Sequence, residues 1–183
     1  MTPQELAIAT GARIDRATEN LPWIVAAMGG YEINTPTRQA AFLAQLGHES
    51  AGLRYLYEIW GPTEAQQRYE GRKDLGNVEP GDGFRYRGRG WIQLTGRANY
   101  RFATLRLRAR LDDHVPDFET DPDQVATSRW AALTAADYWF SHGLNEIADA
   151  GNFELLTRRI NGGLNGYVDR LARWERAKGA LLV

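Results

Sequence analysis

TPTRQAAFLAQLGHESAG, residues 35–52, decides how the rest of the chain is read. Thr35 followed by Pro36 has the order of a helix cap and first helical position, because proline lacks an N–H that would be unpaired there anyway. Ala40, Phe42, Leu43 and Leu46 then recur at helical spacing and predict a buried stripe. The helix should run to about Ser50, with Gly52 as its breaker. Outward from this segment the same punctuation repeats. Thr2-Pro3-Gln4-Glu5 reads as a capping box opening a short helix that ends near Gly11. A second helix is expected over Arg13–Met28, kinked at Pro22 and stopped by Gly29-Gly30. Further helices are expected over Asn99–Leu111, from Asp121-Pro122 through Trp130 and Trp139 to Gly143, over Asn152–Ile160, and over Val168–Leu182. Residues 61–90 are crowded with glycine and proline and predict loop or short strand; Trp91–Leu94 predicts a short strand or turn. No repeat or linker divides the chain, so a single domain is expected.

The chain has 183 residues, 22 basic and 23 acidic, for a formal charge of −1. Balanced charge gives no global pull toward nucleic acid or acidic polymers. With no cysteine there is neither a disulfide scaffold nor a thiol nucleophile. An apolar fraction of 43% with 6 Trp, 8 Tyr and 6 Phe argues against disorder. Lys73 and Lys178 are the only lysines, so the basic residues are mostly arginine. The longest apolar run, Trp23–Met28, is far short of the ~20 residues of a membrane span, and the N-terminal stretch has acid and base before any apolar run. The expectation is a soluble protein without a leader or stable membrane association.

Nucleophile options are few. Serines stand only at 50, 128 and 141, outside any G-x-S-x-G elbow. His48, His114 and His142 lack zinc-binding spacing, so no metal and no cofactor is expected. Carboxylates remain. Glu49 sits where the third helix leaves the core, and a half-buried carboxyl there suits a general acid; the plain alternative is a surface glutamate at a helix end. Glu58 lies among Tyr55, Tyr57 and Trp60, where an unpaired carboxylate would be costly to bury. The two are nine positions apart, which at about 100° per residue puts them on opposite faces of one continuous helix. Joint action therefore requires the break that Ser50-Ala51-Gly52 offers. Paired carboxylates of this kind are glycosidase parts. Glu64, Glu70 and Glu79 compete with Glu58 on spacing. Residues 83–111 hold eight arginines from Arg85 to Arg110, interleaved with aromatics and no acid. Such a strip fits nucleic acid, an anionic or carbohydrate polymer, or plain pairing with acids elsewhere.

Three ordered motifs resemble a known family. His48-Glu49-Ser50, then Tyr86-Arg87-Gly88-Arg89-Gly90-Trp91-Ile92-Gln93-Leu94-Thr95, then Ile160-Asn161-Gly162-Gly163 are similar to glycoside hydrolase family 19, which contains plant-type chitinases and phage endolysins. Glu58–Thr63 and Arg68–Arg72 resemble the compact phage and prophage branch. The resemblance implies Glu49 as general acid, Glu58 as general base and Thr95 as the group that positions water. It implies substrate-binding roles for His48, Tyr86, Gln93, Asn99, Asn161 and Arg170, with Arg170 organising the carboxylates from behind. It also implies inversion at the anomeric carbon. Ala98 departs from the plant pattern, which has a groove tyrosine there, and favours a wider groove.

From this follows the expectation of a mainly α, lysozyme-like, two-lobed single domain with a small β/loop segment, residues 1–183 forming one catalytic domain without a separate wall-binding domain. The expected activity is hydrolysis of β-1,4 bonds in peptidoglycan, with its glycan strands as partner, by a monomer that does not bind nucleic acid. It would wait in the host cytoplasm for holin-type release. The rivals are a chitinase, a non-catalytic wall-binding module, and nucleic-acid binding through residues 83–111.

Overall fold

The computed structural model describes residues 1–111 and 114–182. In chain order the helices are α1 (Pro3–Thr10), α2 (Ile14–Gly30), α3 (Pro36–Glu49), α4 (Glu64–Gln67), α5 (Asp82–Arg85), α6 (Arg97–Arg110), α7 (Ser128–Ser141), α8 (Leu144–Asp149), α9 (Phe153–Asn161) and α10 (Tyr167–Leu181). Short 3₁₀ turns occupy Lys73–Leu75 and Pro122–Ala126. Strand-like pairing among the described residues is confined to two isolated bridges, Tyr57 with Arg89 and Arg89 with Leu94. The mainly α expectation holds. The chain forms two compact units, one of residues 1–54 and 138 onward, the other Tyr55–Asp137.

The first unit is built on α3, which packs against α10 and α1. Its start is as expected, with the Thr35 hydroxyl accepting from the Arg38 amide at 3.2 Å. The burial is broader than a stripe. Ala40 to Gly47 are all buried, so two turns of α3 are enclosed on every side. Leu43 and Leu46 lie in this core with Leu6 of α1 and Ile24 of α2, and Phe42 meets Trp139 edge-to-face at 5.3 Å. Each such buried aliphatic side chain contributes roughly 1.5–3 kcal/mol. Gly47 makes the close packing possible: a Cβ there would overlap the Thr10 carbonyl and lie 2.7 Å from the Thr10 Cα. At α1 the capping box closes in both directions, Thr2 N donating to Glu5 and Glu5 N to Thr2. Pro22 lies inside α2 without ending it.

The second unit is held by buried polar contacts as much as by apolar ones. Its glycine-rich loops have little regular backbone pairing, so their carbonyls take side-chain donors instead. Buried Arg89 donates to the Arg85 carbonyl at 2.7 Å, the Tyr100 hydroxyl at 3.1 Å and Asp123 at 2.8 Å. Arg97 pairs with buried Asp82 and with Glu119, and Asp82 also accepts from the Val78 and Glu79 amides at 3.1 and 3.0 Å. Asn77 ties the loop to α6, donating to the Tyr69 carbonyl and accepting from the Arg97 amide, both at 2.9 Å.

Two sequence expectations need correction. The helix expected from Asp121 through Trp139 is interrupted: the 3₁₀ turn ends at Thr127, which is extended at φ −92° and ψ 150°, and α7 begins afresh at Ser128. Gly143 does not simply close a helix; it takes the left-handed conformation and leads into α8, which was not expected. Of the two alternatives for Trp91–Leu94, strand or turn, the structure has the turn, closed by the Arg89–Leu94 bridge.

Candidate active site

Glu49 is the last residue of α3, and its side chain is 21% exposed. The chain then leaves the helix sharply: Ala51, Gly52 and Leu53 all take positive φ, from 50° to 72°. This is the break that the spacing of the two glutamates required. Behind Glu49 lies Arg170 of α10, itself 2% exposed, with Nη2 2.6 Å from Glu49 Oε1. Arg170 is anchored in turn. Its Nη1 donates to Gln45 Oε1, and its Nε to the Asn165 carbonyl at 3.2 Å. Gln45 Nε2 donates to the Thr157 hydroxyl at 3.0 Å, and that hydroxyl donates to the Phe153 carbonyl at 3.0 Å. A buried chain thus runs from α9 through α3 and α10 to one half-open carboxylate. Arg170 thus stands beside Glu49; Gln45 and Thr157, which join it there, are residues that sequence reasoning missed.

Tyr138 is a further residue that sequence reasoning missed. Burial pushes its hydroxyl pKa up, and the negative charge of Glu49 raises it further. The hydroxyl donates to the Arg159 carbonyl at 3.4 Å, and the ring stacks on His142 at 3.9 Å. Two positions on, the Asn161 side-chain Nδ2 is buried without a hydrogen-bond partner. Such a donor costs roughly 1–3 kcal/mol until something accepts from it.

In the second unit, Glu58 is not the unpaired carboxylate that its aromatic neighbours implied. Its Oε1 accepts from Gln66 Nε2 at 3.0 Å and from the Tyr69 hydroxyl at 3.3 Å, and Oε2 accepts from the Gly88 amide at 3.0 Å. Its own amide donates to the Gly88 carbonyl at 2.9 Å. Three of about four lone-pair positions are used, which fixes the carboxylate and leaves one for water. Gly88 is required here: a Cβ would stand 2.7 Å from Gln93 Oε1 and 3.2 Å from Glu58. The rival acids have other work. Glu64 is 89% exposed beside Arg68, and Glu70 accepts from the Gly81 and Gly83 amides at 2.6 and 2.8 Å.

The remaining residues divide. Gln93, held at φ 56°, donates to the Gly90 carbonyl at 2.9 Å, with its Oε1 beside Gly88. Thr95 donates to the Gln93 carbonyl at 2.9 Å. Asn99 spends its amide on the Thr95 carbonyl at 2.7 Å, closing the turn into α6. His48 Nδ1 donates to the Asp169 carboxylate at 2.7 Å and the ring lies against Gly166, so it fastens the start of α10 to α3. Tyr86 must be corrected. It is 1% exposed, packs on Tyr100 and donates to the Glu119 carbonyl at 2.9 Å, so it belongs to the core and not to a substrate surface. The arginine strip is mostly committed as well: Arg89, Arg97 and Arg106 pair with Asp123, Asp82 and Asp137, while Arg85 and Arg108 donate to carbonyls. Among the described residues no three His, Asp or Glu side chains are grouped to hold a metal ion, and no helix is long and apolar enough to cross a membrane.

Comparison with known proteins gives these sites a class. No family-wide sequence profile matches the chain. A Haemophilus influenzae protein described as containing a glycosyl hydrolase family 19 domain is 35% identical over 161 residues, 73% of this chain and 74% of that one. Two endochitinases of Arabidopsis thaliana are 36% identical over 124 residues, 68% of this chain, which spans only 39% and 38% of their lengths. Among solved structures, a bacterial family 19 chitinase gives a TM-score of 0.73 at 24% identity, covering 98% of this chain and 94% of its own. Chitinase C of Streptomyces griseus HUT6037 gives 0.72 at 21% identity, covering 98% and 76%. At those identities the structural likeness shows the fold, which is mainly α and lysozyme-like. Fold and relatives together define a chitinase-like glycoside hydrolase. The extent of the Haemophilus influenzae match settles which one: the chain belongs to glycoside hydrolase family 19.

Proposed function

We propose that this glycosidase hydrolyses the β-1,4 bond between N-acetylmuramic acid and N-acetylglucosamine in peptidoglycan, with inversion. In this reading Glu49 gives its proton to the leaving glycosidic oxygen, Glu58 takes a proton from the attacking water, and Thr95 helps orient that water. The C1–O bond to the leaving sugar breaks as the C1–OH bond forms. The observation that carries the acid assignment is the buried guanidinium of Arg170, 2.6 Å from the Glu49 carboxylate. Glu49 becomes negative as its proton leaves, and a preorganised cation at that distance stabilises the charge that develops. The free Nδ2 of Asn161 supports a polar sugar contact, since an N-acetyl carbonyl is a matching acceptor.

The preference for peptidoglycan is supported by the space around Ala98. Its methyl group faces Gly76 in a pocket of about 280 Å³ whose walls include Val78, Arg101 and Phe102. An alanine at this position, where the resemblance to the plant enzymes implies a tyrosine, leaves this pocket open to a bulkier, peptide-substituted sugar. A second reading, hydrolysis of chitin, is favoured by the endochitinase names of the plant relatives. Purified peptidoglycan and chito-oligosaccharides, digested side by side and read by mass analysis, separate the two. Fragments ending in reducing N-acetylmuramic acid are expected; cleavage of chitin alone would overturn the peptidoglycan reading. We further place the protein as a monomer in a lysis role, held in the host cytoplasm until a holin-type pore frees it. Expression in a host should then leave cells intact until a pore-forming protein is supplied.

A further inference from the structure

One part of the arginine strip is not absorbed by the catalytic reading. Arg85, Arg87 and Arg89 line one open pocket of about 570 Å³ in the second unit, with Phe84, Asp121 and Asp123 on its walls. Arg89 is paired with Asp123 at 2.8 Å, and Arg85 donates to the Thr120 carbonyl at 2.9 Å. Asp121 accepts from the Gln124 amide at 3.0 Å. Arg87 differs. Its guanidinium carbon lies 4.0 Å from the Phe84 ring centroid, its Nη1 donates to the Phe84 carbonyl at 3.0 Å, and no carboxylate among the described residues forms an ion pair with it. It is half-buried, and both that burial and the neighbouring charge of Arg89 hold its pKa down. Asp123 offsets part of this charge but makes its own ion pair with Arg89, so an anion entering the pocket would be the first to pair directly with Arg87. Its place in the chain matters too. The next residue, Gly88, supplies the amide that holds Glu58, and Tyr57 lies under both Arg87 and Arg89.

We propose that the Arg87 pocket binds a carboxylate of the acidic peptide carried on the muramyl lactyl group, and so favours peptide-bearing glycan over bare glycan and chitin. The proposal rests on the peptidoglycan reading. A planar guanidinium with free N–H edges accepts a carboxylate through two parallel hydrogen bonds, which a neutral polysaccharide cannot supply. Arg87 immediately precedes Gly88, whose amide holds Glu58, so the seat adjoins that carboxylate along the chain.

The test has two arms. In the first, wild type and Arg87→Gln digest peptidoglycan with its peptides and the same glycan after enzymatic removal of them. Wild type should prefer the peptide-bearing strand, and Arg87→Gln should lose about tenfold of that preference, in KM more than in kcat, as expected for one charge-assisted contact. Arg87→Lys, which keeps the charge but not the fork, should fall between. An unchanged preference would overturn the pocket assignment while leaving the peptidoglycan reading intact. Failure of wild type to cut either strand would instead overturn the peptidoglycan reading. The second arm needs no catalysis: a fluorescently labelled stem peptide is titrated with wild type and Arg87→Gln, and the carboxyl-amidated peptide is titrated with wild type. Binding only of the acidic peptide, weakened in Arg87→Gln, supports the site. Equal binding of both peptides, or none, refutes it even if Arg87→Gln proves unstable.

Discussion

Replacing Gln45 by leucine isolates the support of Glu49 from Glu49 itself. The side chain is 1% exposed and joins two partners, accepting from Arg170 Nη1 and donating to Thr157 Oγ1 at 3.0 Å. Leucine has nearly the same volume, so the packing loss is small. The main loss is a buried guanidinium donor left without its acceptor, at roughly 1–3 kcal/mol. Thr157 keeps its bond to the Phe153 carbonyl and adds little. About 2 kcal/mol should lower the melting temperature by about 4–8 °C in a chain of this size. The kinetic effect should be larger in proportion. Arg170 loses one of its anchors, and displacement of an acid by about 1 Å costs on the order of 100-fold in rate. Thermal and urea unfolding give the first number, and turnover of a chito-oligosaccharide or peptidoglycan gives the second. The double variant Gln45→Leu/Thr157→Val should be less destabilised than the sum of the single ones, because both lose the same contact. A Gln45→Leu protein with unchanged melting temperature and unchanged kcat would refute the idea that this chain positions the acid.

Glu49→Gln should reduce turnover by at least about 100-fold with no loss of secondary structure by circular dichroism, since it removes the proton and not the packing. Glu58→Gln should be comparably severe while Glu64→Gln stays near wild type; the reverse order in a steady-state assay would move the base to the first turn of α4. Gly47→Ala should destabilise by more than about 2 kcal/mol in urea, because the new methyl meets α1 backbone that cannot move alone. Acid should weaken the second unit through Asp82. Burial raises its pKa, but the bonds from Arg97 and the Glu79 and Val78 amides outweigh this and hold it below the ordinary aspartate value of 3.8. A carboxyl depressed in the folded state stabilises fully above its unfolded pKa and loses that contribution as pH falls below about 4 toward the folded value. Urea midpoints against pH should therefore drop below pH 4 in wild type, and Asp82→Asn should be weaker at pH 7 but flatter in acid.

Much of the helical framework was legible because its signals are local. Thr2, Thr35 and Asn152 each cap a helix within three residues of themselves, and that chemistry is written in adjacent positions. The limits are also physical. Thr127 breaks a helix that local propensity would continue, and α8 is too short to show a period. Tyr86 sits inside a motif that reads as functional, yet its hydroxyl finds a carbonyl 33 residues away and its ring a place in the core.

By itself, then, the sequence determined the starts of the helices capped by Thr2, Thr35 and Asn152, the break after Glu49, the family motifs and the two glutamates worth testing. These rest on contacts within a few residues and on order along the chain. Tertiary structure decided what surrounds each carboxylate. Gln45 meets Thr157 from 112 positions away and Arg170 from 125, and Glu58 meets Gly88 from 30. It also decided which arginines are neutralised, since Arg89 and Arg97 find their acids in segments outside the strip while Arg87 stays without one among the described residues. A pairing that closes a long loop leaves no period or spacing to read; only the packed chain brings donor to acceptor.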